Sequence, residues 1–329
     1  MDDVYYSLGE TVRQSPPLDF KDQVNDEWVK NKTILITGGA SGFGAGFFRR
    51  WAAAGATVII GDINVAKGEQ LAQEVRKETD NSNLHFVECN VADWKSQVNF
   101  FKVAKKLSLH GGIDTVVANA GVADLDPIFE NPQDLEADDP PPPNPRILDV
   151  NLTGVVYTTH LALFYLPKNP GSGSANPRCN PADTHRDRHI LLISSAAGLY
   201  PMPGHSYYAA SKHAVVGIYR SLRASSYLHG IRVNMIAPYF MDTPMMTVGA
   251  KLIMAGGDVG KPEDVVEAAT RFTADPRIVG RAVFVGPKLK VKQTAEGEWD
   301  LVNNKESGEE RAIWEIYVHD FEDSDLFQR

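Results

Sequence analysis

The sequence predicts an α/β fold: a doubly wound, seven-stranded parallel sheet flanked by helices in one continuous domain. Three observations carry that prediction. From Thr33 to Gly286, short apolar runs rich in β-branched residues alternate with helical stretches. The runs stay apolar at successive positions, as strands buried on both faces require. A glycine-rich loop joins the first run to the first helical stretch.

The elements follow in order. "TILIT" (33–37) is a β-branched strand bounded by Gly38. "AGFFRRWAAAG" (45–55) is helical, and Gly55 is its C-terminal stop. "ATVIIGD" (56–62) is the second strand and "AKGEQLAQEVRKE" (66–78) a charged amphipathic helix. Next come "LHFVEC" (84–89) as strand, "DWKSQVNFFKVAKKL" (93–107) as helix and "IDTVVANAG" (113–121) as strand. "PRILDVNLTGVVYTTHLALFYL" (145–166) reads as a long helix and "HILLIS" (189–194) as a strand. The long helix "SYYAASKHAVVGIYRSLRASSYL" (206–228) precedes the strand "IRVNMIAP" (231–238). "PEDVVEAATRFTAD" (262–275) is helical and "RAVFVG" (281–286) the last strand.

Three segments interrupt the alternation. "NPQDLEADDPPPPNP" (131–145) is acidic and proline-rich, and "KNPGSGSANPRCNPADTHRDRH" (168–189) is polar and turn-rich. Both are expected as surface loops. The third is everything after Gly286. "KVKQTAEGEWDLVNNKES" (290–307) is expected as a small hairpin, and "ERAIWEIYVHDFEDSDLFQR" (310–329) as a short helix with an acidic tail. The expected division is an N-terminal extension (1–29), the α/β domain (30–286) and a C-terminal extension (287–329).

Bulk composition narrows the function. A net charge of −9 disfavours nucleic acid and anionic membrane as partners. The two cysteines, Cys89 and Cys179, are far apart and form no C-x-x-C, so neither a disulfide framework nor a metal site is expected. A reducing compartment suits such a chain. "MDDVYYSLGETVRQ" is acidic and lacks the apolar core of a signal peptide. "GVVYTTHLALFYL" reads as too short and too polar to cross a bilayer. The expectation is a soluble cytoplasmic protein with no membrane partner.

The loop "TGGASGFG" (37–44) carries the first chemistry. Gly38, Gly42 and Gly44 let the backbone turn sharply and approach a ligand, with Ser41 and Phe43 between them. The helix that follows offers free N–H groups to a phosphate. Asp62 ends the second strand, 18 positions after Gly44. A carboxylate there accepts hydrogen bonds from the adenosine ribose and repels a 2′-phosphate. Neither Ser41 nor Ile63 supplies a basic group, so NAD is expected in preference to NADP.

With these motifs in order, the sequence resembles the short-chain dehydrogenase/reductase family, in its compact NAD(H)-binding form, from about Lys30 to Gly286. The resemblance implies a Rossmann-like fold. "TGGASGFG" looks like the family's cofactor loop. "ANAG" (118–121), with Asn119, Ala120 and Gly121, looks like its N-N-A-G motif beside the adenine. "VNLTG" (150–154) resembles the segment carrying its helix asparagine, here Asn151. "ISS" (193–195) precedes the reactive helix, "YAASK" (208–212) is its Y-x-x-x-K, and "PYFMDT" (238–243) resembles the P-G-x-x-x-T that holds the nicotinamide amide. Three positions depart. Ala118 replaces the first asparagine. Asn90, followed by Val91, stands where an acidic residue commonly caps the adenine pocket. Tyr239 replaces the glycine after Pro238.

Tyr208 and Lys212 are four apart and share a helix face, which Tyr207 misses. A phenol that exchanges a proton with an alcohol near neutral pH needs its pKa, ordinarily ~10, brought down by some 3 units, about 4 kcal/mol. A nearby ammonium and a positive nicotinamide ring can supply that preference. The resemblance adds roles. Lys212 also holds the nicotinamide ribose. Ser195, 13 residues before Tyr208, bonds the substrate oxygen, with Ser194 as the competing choice. Asn151 holds a water linking Lys212 to solvent, and Pro238 and Thr243 bind the carboxamide. His205 reads as a surface or substrate-pocket residue. Met241, Met245, Met246 and Met254 read equally as core or as the apolar wall of a substrate lid.

The expected activity is oxidation of a secondary alcohol on an apolar small molecule by NAD. The chain is similar to the 15-hydroxyprostaglandin dehydrogenase-like branch, which includes fungal members acting on polyketide or terpenoid alcohols. An NADPH-dependent ketoreductase and a catalytically silent cofactor-binding protein are the alternatives. In the family the two long helices pair between subunits, which implies a homodimer or homotetramer.

Overall fold

In the computed structural model, the described residues are 15–20, 23–123, 139, 144–183, 186–243, 259–295, 299–303 and 306–316. The parallel strands are β1 (Thr33–Thr37), β2 (Thr57–Asp62), β3 (Leu84–Glu88), β4 (Thr115–Ala118), β5 (His189–Ile193), β6 (Arg232–Pro238) and β7 (Ala282–Gln293). They lie in the order β3-β2-β1-β4-β5-β6-β7. The chain therefore reverses its direction of winding between β1 and β4, the place where open α/β sheets bind ligands at their carboxyl ends.

The helices are α1 (Gly42–Ala53), α2 (Val65–Thr79), α3 (Trp94–Leu107), α4 (Gly154–Tyr165), α5 (Ser206–Ser225) and α6 (Pro262–Ala274). Successive residues of one strand feed opposite layers. Ile34 and Ile36 pack with Phe47, Phe48 and Trp51 of α1, Val75 of α2 and Phe272 of α6. Leu35 packs with Phe100 and Phe101 of α3, Val155 and Ala162 of α4, and Val215 and Tyr219 of α5. Burying each such side chain stabilises the fold by about 1.5–3 kcal/mol. Polar side chains fix two helix starts. Asn64 accepts from Lys67 N at 3.1 Å, and Asp93 accepts from Ser96 N at 2.6 Å.

The helix expected over 145–166 is built in pieces. A short turn, Arg146–Leu148, is followed by one π-helical turn, Asp149–Thr153, and then α4. The 23 residues Arg146–Lys168 are long and apolar enough to cross a membrane, more than the apolar stretch alone suggested. Here Ile147, Val155, Leu161, Ala162 and Leu166 are buried in the protein core.

The 168–189 segment is pinned at both ends. Asp114, fully buried, accepts from Asn169 Nδ2 and Asp187 N at 2.9 Å each and from Thr33 N at 2.8 Å. Asp187 is bonded in turn to Arg232, itself fully buried, at 2.6 Å. Of the 131–145 segment, only Asp139, Asn144 and Pro145 are described. Met245, Met246, Met254 and the acidic tail from 317 onward lie outside the described residues.

The sheet does not stop at Gly286. That expected boundary falls inside β7, and β8 (Trp299–Leu301) and β9 (Glu309–Glu315) pair antiparallel with it. Among the described residues the sheet thus has nine strands, seven parallel and two antiparallel. The hairpin reading of 290–307 holds. Glu310–Glu315, expected as the start of a helix, are strand. The free edge of β7 offers backbone partners along Val283–Val285 and Leu289–Val291. Ile313, a β-branched residue, is 8% exposed and joins the core below α1 and α6.

The N-terminal residues 15–20 cross this extension. Ser15 N donates to Val279 O at 3.1 Å and Ser15 Oγ accepts from Val279 N at 3.2 Å. Leu18 N donates to Glu315 Oε2 at 2.9 Å. Phe20 lies against the guanidinium groups of Arg271 and Arg311, 5.5 and 5.4 Å from its ring centroid. Glu315 also pairs with Arg281 at 3.1 Å, yet burial pushes its carboxyl above the usual range.

Breaking the Asp187–Arg232 pair leaves a guanidinium without its counter-charge in the core. Asp187→Ala is therefore expected to cost about 3–5 kcal/mol in urea unfolding. A loss below ~1 kcal/mol would show that the pair is not the buried tie described above.

Candidate active site

The ends of β1 and β4 bring the glycine loop against residues 119–121. Gly38 has φ +65, and a Cβ on it would lie 2.7 Å from Ala120 Cα. A Cβ on Gly44 would lie 2.3 Å from Gly38 O. Asn119 holds the turn from below: its Nδ2 donates to Thr37 O at 2.9 Å and to Gly38 O at 3.0 Å. Ser41 is extended at the start of α1 and its side chain makes no capping bond. The first N–H groups of α1 therefore keep their capacity for an anion. A tight backbone cradle ending in an uncapped helix start fits a dinucleotide phosphate. Phe43 packs against the core of this layer.

Asp62 lies beside the loop. Its Oδ2 accepts from Ala40 N and its Oδ1 from Asn64 N, both at 3.0 Å. Each oxygen keeps a further lone pair. Ile63 beside it is 66% exposed. Asn90 Oδ1 accepts from Ala92 N at 3.1 Å, so the turn uses the carbonyl side of that amide. Val91 is buried against Gly154, where a Cβ would come within 2.8 Å of Val91 Cγ2.

Gln97 ties these parts together, and motif reading did not pick it out. It is fully buried and donates from Nε2 to Val91 O at 2.7 Å and to Gly154 O at 2.9 Å. Its Oε1 accepts from Thr158 Oγ1 at 2.9 Å. The available signal was a glutamine on the apolar face of α3, in helical register with Phe101 and Ala104.

The second cluster forms where β5 and β6 meet α5. Lys212 is 5% exposed, and its Nζ donates to Ile193 O at 3.1 Å. Burial brings its amine down to about 8. The Nζ stands 5.6 Å from the centroid of the Tyr208 ring. The Ser195 hydroxyl is close enough to Tyr208 to favour its ionised form. Ser195 Oγ also accepts from Ala197 N at 3.2 Å and lies 3.5 Å from Pro238 O. Ser194 is occupied elsewhere, donating to Lys212 O at 3.0 Å. The geometry therefore puts Ser195, not Ser194, beside the phenol.

Asn151 is fully buried in the π-helical turn, a departure from α-helix that often marks functional sites. Its Oδ1 accepts from Val122 N, and its Nδ2 donates to Val122 O, both at 2.8 Å; Nδ2 also reaches Ser211 Oγ at 3.3 Å. Gly121 separates it from the lysine. A Cβ there would be 3.4 Å from Asn151 Oδ1 and 3.6 Å from Lys212 Nζ.

The phenol departs from the simple expectation. Burial pushes the pKa of Tyr208 up, and the neighbouring Ser195 hydroxyl opposes that only in part. The protein alone therefore holds this phenol protonated at neutral pH. Tyr207 and His205 sit at the start of α5, and His205 Nδ1 contacts Pro203 O at 3.2 Å. Beyond β6, Tyr239 N donates to Val285 O at 2.7 Å, and Thr243 N to Met241 O at 2.8 Å. Thr243 lies in that turn, outside the Ser195–Tyr208 cluster. A cavity of about 550 Å³ lies elsewhere, between residues 17–20, α6 and β9, and includes none of these residues.

The sequence profile described as short chain dehydrogenase matches residues 32–252. The chain is 35% identical over 294 residues to the 5'-hydroxyaverantin dehydrogenase of Dothistroma septosporum, covering 85% of this chain and 90% of that one. It is 30% identical to the NADP-dependent dehydrogenase M3 of a Phoma species, over 89% and 85% of the two chains. Among solved structures it is similar to a 3-ketoacyl-(acyl-carrier-protein) reductase from Brucella melitensis complexed with NADH. That likeness has a TM-score of 0.62 and 28% identity, over 78% of this chain and 97% of the other.

The buried lysine gives a stability test. Its folded pKa, about 8, lies below the model value of 10.5. The folded state therefore disfavours the charged form by about 3 kcal/mol below pH 8, and the penalty fades as pH rises toward 10.5. Lys212→Met removes it and loses one hydrogen bond, worth about 1 kcal/mol. Urea unfolding at pH 7 should find the variant more stable by about 2 kcal/mol. The gain should shrink from pH 8 upward; a gain independent of pH would contradict the buried charge.

Proposed function

The chain belongs to the short-chain dehydrogenase family, and on that premise we propose that it oxidises a secondary alcohol on an apolar small molecule with NAD. Dehydrogenase chemistry on CH–OH donors comes with the family. The finer reading rests on one observation: Ser195, Tyr208, Lys212 and Asn151 converge at the strand ends beside the glycine loop.

Gly38, Gly42 and Gly44 with the start of α1 would hold the pyrophosphate, and Asp62 the adenosine ribose. Asn90 and Val91 would border the adenine, and Thr243 would meet the carboxamide. A bound oxidised nicotinamide supplies the hydride acceptor and a positive charge in the cleft. Ser195 Oγ holds the alcohol oxygen. Tyr208 Oη, deprotonated, takes the hydroxyl proton as the carbonyl forms. Lys212, mostly protonated at pH 7, favours that phenolate and binds ribose. The proton then passes by way of Lys212 and a water at Asn151 to solvent.

Asp62 supports NAD, since its carboxylate repels a 2′-phosphate. The NADP-dependent relative favours the second reading, an NADPH-dependent ketoreductase. A reducing, cytoplasmic setting suits the free thiols of Cys89 and Cys179. Val156 and Phe164, 43% and 55% exposed on α4, support a homodimer or homotetramer formed through that face.

Two measurements test this. Tyr208→Phe should lower turnover by about 10²–10⁴-fold while NADH affinity stays within about twofold. Full turnover in that variant rules out the phenol as the acid–base group. Tryptophan fluorescence titration should show NADH binding at least about tenfold tighter than NADPH, ~1.4 kcal/mol. The reverse order moves the reading to the ketoreductase, and binding of neither moves it to a protein without turnover.

A further inference from the structure

A connected set of aromatic rings borders the catalytic cluster on the side of β6 and β7. Tyr200 meets Phe284 of β7 edge-on, with centroids 6.4 Å apart and planes at 89°. Phe284 tilts against Tyr239 at 6.0 Å. Tyr239 meets Phe240 edge-on at 5.0 Å. These separations are those at which rings attract through their edges and faces.

The set is tied to the reacting groups from two sides. Tyr239 directly follows Pro238, whose carbonyl lies 3.5 Å from Ser195 Oγ. Tyr200 is five residues past Ser195, just beyond the short turn Ala196–Gly198. The position of Tyr239 does not need a glycine. Its φ is not positive, and its N–H continues the ladder to Val285 O at 2.7 Å. The ring is therefore an addition to this corner and not a tolerated strain. Tyr200 is also 61% exposed despite its contact with Phe284. A ring serving only the core would be covered.

Aliphatic side chains would line a pocket for a lipid or a terpenoid equally well. Rings held at fixed angles favour a flat aromatic partner, because stacking depends on orientation as well as area. Resting on the alcohol dehydrogenase reading, we propose that Tyr200, Tyr239 and Phe284 form a specificity wall for a planar aromatic substrate. The alcohol that meets Ser195 and Tyr208 is then carried on an aryl or fused-ring scaffold and not on an aliphatic chain.

The test compares two alcohols, a naphthyl methyl carbinol and a straight-chain secondary octanol. Each is oxidised to its ketone as NAD or NADP is reduced. The unaltered protein should prefer the naphthyl alcohol by about tenfold in kcat/KM, ~1.4 kcal/mol. Tyr200→Ser changes an exposed side chain, so the fold is kept; Tyr239→Leu keeps an apolar group. Each should raise KM for the naphthyl alcohol about fivefold or more, with little change in kcat, while octanol kinetics stay within about twofold. Equal losses on both alcohols, no loss on either, or a preference for octanol overturns the wall and leaves the dehydrogenase reading in place. No oxidation of either alcohol by the unaltered protein, with either cofactor, overturns both.

Discussion

Two hydrogen bonds from one amide hold the cleft together. Asn119 Nδ2 bonds Thr37 O and Gly38 O, and so joins the end of β4 to the turn after β1. Winding reverses between these two strands, so a gap opens between their carboxyl ends. The amide spans that gap from inside. It sets the depth of the glycine turn, and with it the aim of the first N–H groups of α1. Gly121, two residues on, separates Asn151 from Lys212. One strand end thereby positions the phosphate cradle on one side and the buried polar cluster on the other.

Ionisable groups are buried at both ends of this sheet, with opposite accounting. At the end away from the cleft, Asp114, Asp187 and Arg232 are bonded to several partners each. Such a network ties loops to strands and leaves little charge uncompensated. At the cleft, Lys212 donates to the Ile193 carbonyl, no carboxylate is beside it among the described residues, and its amine is depressed. Tyr208 is likewise pushed away from ionisation. The phenol thus starts from a state that opposes phenolate, and the amine holds its charge less firmly than a free lysine. Phenolate at neutral pH, as proposed above, therefore calls for a further positive charge entering the cleft.

Much of the fold was legible because burial on both faces leaves a plain mark. "TILIT" and "HILLI" have no polar period to confuse them with surface strands, and each became a wholly buried strand. The glycine loop was legible because a cradle needs glycine at fixed places. The last strand of the C-terminal extension was not. "EERAIWE" has the composition of a short helix as readily as of a strand, and its state is decided by the free edge of β7, distant in sequence. Gln97 was hidden for a related reason. Its role depends on two carbonyls contributed by other segments, and no local pattern announces them. The π-helical turn under Asn151 was equally silent, since its residues read as ordinary helix.

The clasp between the chain's two ends has a consequence for how the molecule is made. Leu18 N and Glu315 are 297 positions apart. During synthesis at about 5–20 residues per second, the N-terminal strap waits roughly 15–60 s for its partner strand. The parallel sheet through β6 can be in place by then, but the strap cannot. Its docking is therefore a late event in the folding of the chain. It is also one that a nascent chain lacking β9 would never complete.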